Sequence, residues 1–396
     1  MKTILICGAT GFIGRNLLEY YIKQNKYNIR AIYHNKPALK EYDVEWIYAD
    51  LKNADDVKKA LKNVDVVLQF AATTSGANDI INRPYIHVTD NAIMNSLILR
   101  ECYEQSIEHI IFPSCTVMYQ PADFAQKETD WNAQDEIFPT YFGVGNTKVY
   151  IEKMCEFFSR LGKTKHTVMR HSNMYGPYDK YDLERSHVFG ATITKVMTNT
   201  NGILNVWGTG EGGRDLLHVD DLVSFVDVAI TKQDTPYELF NVGLGKAIKI
   251  IDLIKKIINH SGKDLKIEHD LSKPTIPTSL FLNCNKAKEK LNWEPKIGID
   301  EGIMSEIPLT PMHLKNIPPP AETFDHIKLI KWLSHWIQPR HYLELGVRSG
   351  ICFHQVVPFS EHSTGVDIAH SNDLKNFITT KTIKNNPSFL ITLDHD

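Results

Sequence analysis

The chain has 396 residues, 42% of them hydrophobic, and a formal net charge of −3 at pH 7. That is enough for an ordinary buried core and, at roughly 100–200 residues per domain, for two or three folding units. There is no basic run of the kind that binds nucleic acid, and no stretch of the ~18 apolar residues that a membrane span needs.

The first residues read as a strand rather than a signal peptide. Six cysteines are scattered without a CxxC pair, which argues against a disulfide framework or a zinc site. The expectation is a cytoplasmic chain with reduced thiols and no metal.

Apolar runs at 3–7, 29–33, 44–48, 64–70, 109–113 and 166–170 predict strands, and amphipathic stretches such as 14–24 and 56–62 predict helices between them. Strands alternating with helices make βαβ units, so the fold class expected is α/β, a Rossmann doubly wound parallel sheet over about residues 1–170. From 171 to 305 turn-rich pieces, Tyr175-Gly176-Pro177 and Trp207-Gly208-Thr209-Gly210, interrupt helices at 220–230 and 251–261. They predict a smaller α/β substrate lobe on the edge of the first sheet. Pro308, Pro311, Pro318, Pro319 and Pro320 predict a linker at 306–322. A helix at 326–337 and a strand at 341–345 then open a partial second Rossmann-like domain, 323–396.

The first strand runs into Gly8-Ala9-Thr10-Gly11-Phe12-Ile13-Gly14. In a strand–turn–helix context this spacing serves a dinucleotide. Gly8 allows the tight turn, Gly11 lets the backbone approach a pyrophosphate, and Gly14 lets helix and strand pack closely. The helix N-terminus offers free N–H groups to the anion. An acid for the ribose 2′-hydroxyl is expected at the end of the second strand, but Tyr33-His34-Asn35-Lys36 stands there. Either His34 and Lys36 face a 2′-phosphate, which makes the cofactor NADP, or this is a solvated loop and NAD remains possible.

The glycine loop, Asp50-Leu51, Gln69-Phe70-Ala71-Ala72 and Arg170-His171-Ser172-Asn173-Met174-Tyr175-Gly176-Pro177 together resemble the extended short-chain dehydrogenase/reductases, the NAD-dependent epimerase/dehydratase family, over about residues 1–300. The resemblance implies that Asp50, with Leu51 beside it, meets the adenine and that Ala71 and Ala72 lie along the cofactor. Ser186-His187-Val188 and the segment from Trp207 through Arg214 to Asp221 are similar to the GDP-L-fucose synthase branch. That likeness implies a GDP-linked sugar held by Asn173, Lys195, Trp207 and Arg214, with His187 as the acid that assists epimerisation. A guanidinium offers bidentate donors to phosphate oxygens, which suits Arg214 to a diphosphate. Family members usually pair as homodimers, here through helices near 92–103 and 150–160.

In this family hydride chemistry uses a Tyr-x-x-x-Lys pair, the lysine one turn beyond the tyrosine on the same face. The ammonium lowers the phenol pKa and holds the nicotinamide ribose. Here Lys148 fits, but four residues before it stands Val144. Tyr141 lies seven residues before Lys148, about 10 Å along a continuous helix. Either Gly143 and Gly145 break the helix start and Tyr141 folds back, or the tyrosine is absent and redox activity is altered or lost. The hydroxyl that should bond the sugar oxygen is also displaced, because Cys115 stands four residues before Tyr119, flanked by Ser114 and Thr116. Cys115 reads equally as a buried small apolar residue.

In the last piece Glu344, Gly346, Gly350 and Asp367 resemble the first half of a class I S-adenosylmethionine-dependent methyltransferase. Too few residues follow for that fold's sheet, so methyl transfer is not expected. The function expected is an NAD(P)-dependent nucleotide-sugar epimerase/reductase acting on a GDP-4-keto-6-deoxyhexose. The alternatives are a nucleotide-sugar 4-epimerase or dehydratase with tightly held NAD, and a non-catalytic nucleotide-sugar or cofactor-binding protein.

Overall fold

The computed structural model describes residues 1–73, 83–183, 186–272, 279–307, 342–345 and 363–366. The chain divides into two compact units, Met1–Asn316 and Ile317–Asp396. The first holds a seven-stranded sheet made of β1 (Thr3–Cys7), β2 (Asn28–Tyr33), β3 (Glu45–Tyr48), β4 (Val66–Gln69), β5 (His109–Pro113), β6 (Lys165–His171) and, after three strands of a lobe, β10 (Tyr237–Val242). The order is β10-β6-β5-β4-β1-β2-β3 and every pairing is parallel. Order reverses between β1 and β4, so a crevice opens at the carboxyl ends of these strands, where doubly wound sheets bind ligands.

The sheet is covered on both faces, which is why its central strands are apolar throughout. Alternation along β1 divides the core. Ile4 and Ile6 join Leu17 and Tyr21 of α1 (Phe12–Gln24) and Phe225 of α6 (Val219–Lys232). Leu5 and Cys7 face the other way, onto Val57 of α2 (Ala54–Ala60), Ile98 of α3 (Thr89–Glu104) and Ile151 of α4 (Phe142–Ser159). A strand's period of two does this without any further instruction.

The lobe contains β7 (Asn173–Tyr175), β8 (Ile203–Trp207), β9 (Gly213–His218), β11 (Ala247–Lys249) and β12 (Lys266–Asp270), in sheets ordered β11-β9-β7 and β12-β8. Its helices are α5 (Val188–Met197), α7 (Ile250–Ser261), α8 (Asn285–Leu291) and α9 (Ile299–Glu306). The cut expected near residue 170 is not clean. β10 returns to pair with β6, Tyr237 opposite His166, and α6 packs beneath the main sheet. An open edge on β6 would leave a row of backbone donors and acceptors unpaired, and β10 closes it.

The expected linker also begins too early. Glu306 ends α9 fully buried and Ile307 is 1% exposed, so the chain is still packed at the start of 306–322. Residues 308–341 lie outside the described residues, and with them the helix expected at 326–337. In the second unit β13 (Tyr342–Leu345) and β14 (Ser363–Val366) pair in parallel, Tyr342 opposite Ser363. Glu344 lies on β13. Gly346, Gly350 and Asp367 lie outside the described residues, and the methyltransferase likeness rests on sequence alone. No described helix is long and apolar enough to cross a membrane.

Candidate active site at the carboxyl edge of the sheet

The glycine loop leaves β1 with Gly8 at φ 76°, left-handed backbone that favours glycine. A Cβ on Gly14 would lie 2.1 Å from the Gly8 carbonyl oxygen, and one on Gly8 2.7 Å from the Phe70 carbonyl oxygen. The loop is therefore pressed between α1 and the Phe70-Ala71 backbone after β4, and nothing larger than glycine fits. Gly11 caps α1 without a side-chain hydrogen bond, and no acid stands in the first turn. The N-terminal N–H groups and positive dipole end thus suit an anion. These residues fit the pyrophosphate of a nicotinamide dinucleotide, which when bound supplies the hydride acceptor or donor.

Phe12 and Ile13 send side chains to the core, so their share in cofactor binding is backbone, and Thr10 is half-buried in the same loop. Leu51 requires a correction, because its side chain is 6% exposed and belongs to the core beside Val57. Any share it has at the adenine is therefore backbone, as for Phe12 and Ile13. Ala71 is half-buried and Ala72 exposed. His34 Nε2 lies 4.0 Å from Asp50 Oδ2, with its ring against Tyr48. Two residues proposed for the adenosine end therefore face each other across the ends of β2 and β3.

Lys148, on the second turn of α4, donates from Nζ to the Pro113 carbonyl oxygen at 2.8 Å and sits 4.8 Å from the Phe112 ring centroid. Burial lowers its pKa, while Cys115 and Glu152 raise it. Gly143 and Gly145 do not break the helix, contrary to one expectation, because α4 is continuous from Phe142. Gly145 instead lets Ile137 approach, 2.9 Å from where a Cβ would stand. A 3₁₀ turn at Pro139–Tyr141 redirects the chain, and Tyr141 caps α4 in non-helical geometry. Burial raises the Tyr141 pKa, Arg214 pulls it down and Cys115 pushes it up. The cation that draws the Tyr141 pKa down is Arg214 of β9.

Ser114 is a second correction. It is fully buried and donates to Glu152 Oε1 at 2.5 Å. Glu152 is held bidentately by Arg170, at 2.7 and 3.0 Å. That hydroxyl serves the core and does not reach a sugar. Thr116 and Cys115 stay half-buried at the edge, the thiol accepting from the Val117 N–H and pushed up in pKa by burial.

On the lobe side His187 caps α5 and is exposed. Desolvation and the Lys180 charge lower its pKa. Lys195 lies 5.3 Å over the Trp207 ring, a cation–π pair. Asn173 donates to the Asp215 carbonyl oxygen at 3.3 Å. Asp215 is no partner for Arg214, since its carboxylate accepts from the N–H groups of Leu244, Gly245 and Leu282. Arg214 donates to the Gly213 carbonyl oxygen at 2.7 Å, and burial lowers its pKa.

Sequence reasoning passed over His171, the last residue of β6. Its Nδ1 lies 2.8 Å from the Ser172 carbonyl oxygen. Burial lowers its pKa to about 4, and Lys148 and His187 add to that. The sequence held the signal, a titratable residue ending a parallel strand at the crevice. Among the described residues no group of three or more His, Cys, Asp or Glu could hold a metal.

The sequence profile of the NAD dependent epimerase/dehydratase family matches residues 4–243. GDP-L-colitose synthase of Yersinia pseudotuberculosis is 25% identical over 304 residues, covering 76% of this chain and 95% of that protein. GDP-L-fucose synthase of Azorhizobium caulinodans is 25% identical over 313 residues, covering 77% and 95%. Among solved structures, UDP-glucose 4-epimerase from Thermotoga maritima, with UDP-glucose, superposes with a TM-score of 0.70 at 24% identity, over 79% of this chain and 100% of that one.

Proposed function

The chain belongs to the NAD-dependent epimerase/dehydratase family, and within that family of enzymes we propose that it is a nucleotide-sugar epimerase/reductase acting on a GDP-4-keto-6-deoxyhexose. The observation that carries this is the bond from Lys148 to the Pro113 carbonyl oxygen. That bond supports Lys148 as the family's lysine, at the end of β5, where its charge acts on Cys115 and His171. Two of the relatives are GDP-L-colitose and GDP-L-fucose synthases, which supports the GDP-linked sugar.

Gly8, Thr10, Gly11 and Gly14 hold the dinucleotide, with Ala71 and Ala72 along it. His34 and Lys36 serve a 2′-phosphate, with Asp50 orienting the imidazole, so NADP is the proposed cofactor. Lys148 orients the nicotinamide ribose. Tyr141, whose phenol burial keeps protonated while the Arg214 charge offsets part of that rise, protonates the oxygen of the ketone being reduced. Arg214, Lys195, Trp207 and Asn173 bind the nucleotide sugar, and His187 assists epimerisation. Apolar side chains exposed on α3 and α4, among them Ile93, Tyr103, Tyr150 and Phe157, form the homodimer face.

The test mixes the protein with NADPH and GDP-4-keto-6-deoxymannose and follows absorbance of the reduced cofactor. Steady oxidation supports the reading. Tightly retained NAD with no net NADPH consumption supports a 4-epimerase or dehydratase, and binding without turnover a sensor.

A further inference from the structure

Epimerisation beside a ketone needs a base that removes a carbon-bound proton and a group that returns one to the opposite face. The Cys115 thiol serves poorly as that base, because burial keeps it protonated. We propose that His171 is the base, and that it works with His187 as a two-histidine pair across the ketone. This rests on the epimerase/reductase reading above.

Three features place it there. First, His171 ends β6 at the carboxyl edge of the sheet, beside β5, whose Pro113 carbonyl oxygen holds Lys148. Second, its tautomer is fixed. A carbonyl oxygen only accepts, so the 2.8 Å contact to Ser172 requires the proton on Nδ1 and leaves the lone pair on Nε2. Among the described residues Nε2 has no hydrogen-bond partner. Third, the titratable groups acting on the ring come from two other elements, Lys148 of α4 and His187 at the cap of α5. Both oppose a positive charge on the ring. Its strand neighbour Val242 on β10 brings none. The ring is therefore neutral near pH 7, the state a base requires.

The step balances with no oxidant. A C–H bond next to the ketone breaks, its proton goes to Nε2, and its electron pair forms the enolate double bond while the ketone oxygen takes the negative charge. A proton taken from solvent and relayed through the neutral His187 ring to the opposite face of that carbon inverts it, and His171 then returns its proton to solvent. Ser172 holds the imidazolium through Nδ1–H meanwhile.

The experiment incubates full-length protein with GDP-4-keto-6-deoxymannose in deuterated water without NADPH, and counts deuterium entering the sugar by mass spectrometry. His171→Asn and His171→Gln should each lower the exchange rate by about 10²–10⁴-fold, the usual span for a positioned acid or base. NADPH binding should be unchanged in both, which also reports that they fold. The wild-type exchange rate should not fall from pH 7 down to pH 5, since the His171 ring protonates only near pH 4. Nitrogen NMR of the wild type should show the Nδ1–H tautomer. Exchange that persists in both folded variants, or that disappears in Cys115→Ala while surviving in His171→Asn, would overturn the inference and leave the epimerase/reductase reading intact. No exchange and no NADPH oxidation by the wild type would defeat that reading itself.

Discussion

The Lys148 ammonium donates to the carbonyl oxygen of Pro113 across 2.8 Å, from the second turn of α4 to the last residue of β5. One bond thus ties the helix that carries Lys148 to the strand that leads into Cys115 and Thr116. Replacing Lys148 by Met keeps the stem over Phe112 and removes the charge. Burial already penalises that charge, so folding stability should change little. Turnover of NADPH should fall by about 10²–10⁴-fold. Steady-state kinetics beside a thermal melt check both.

Gly14→Ala should damage the dinucleotide site. Its Cβ would stand 2.1 Å from backbone oxygen that cannot step aside. Overpacking of this kind costs about 1–3 kcal/mol, and the loop must shift away from the pyrophosphate. Titration with NADPH should show affinity at least about 10-fold weaker. Gly298→Ala, where a Cβ meets nothing within 4 Å, should leave affinity unchanged.

Glu152 is 3% and Arg170 2% exposed, with Ser114 and Tyr119 completing their hydrogen bonds. Glu152→Gln leaves a buried guanidinium without its counter-charge, which costs about 3–5 kcal/mol. Urea denaturation should show a lower midpoint with the slope retained. A loss below about 1 kcal/mol would mean that water or another acid reaches Arg170.

The fold should weaken in mild acid through two buried histidines. Burial lowers the pKa of His109 to about 3 and of His166 to about 4, from 6.5. Between those values and 6.5 the unfolded chain binds more protons than the folded one. Stability that is full above pH 6.5 is therefore lost as pH falls, by up to about 1.4 kcal/mol per unit for each group. Neither ring nitrogen of His166 has a hydrogen-bond partner among the described residues. His166→Leu should accordingly flatten the slope of stability against pH between 6 and 4.5, as read by denaturant melts at several pH values.

Much of the fold was legible because local signals agreed. The two-residue alternation of β1 and the glycine spacing after it each point to one parallel βαβ unit, and both stand in the structure. The return of β10 to the first sheet was not legible, since it depends on which edge lies open once β6 has formed. The site was legible by residue type more than by geometry. Ser114 looked as eligible as Thr116 until the Glu152–Arg170 pair claimed it. Leu51 reads in sequence as a cofactor neighbour, and the structure adds that its side chain belongs to the core. Helix spacing put Tyr141 about 10 Å from Lys148, but it could not show that the 3₁₀ turn at Pro139–Tyr141 brings the phenol under the charge of Arg214. Such partnerships join segments tens of residues apart, and a periodicity within one element carries no record of them.

The central claim is reduction of a keto sugar with Tyr141 as proton donor despite Val144. The direct measurement is the rate of NADPH oxidation on GDP-4-keto-6-deoxymannose by the wild type, Tyr141→Phe and Val144→Tyr. Steady oxidation by the wild type that drops at least about 10²-fold in Tyr141→Phe, with NADPH affinity unchanged, is the predicted result. Wild-type oxidation that survives intact in Tyr141→Phe, or that first emerges in Val144→Tyr, would contradict the account.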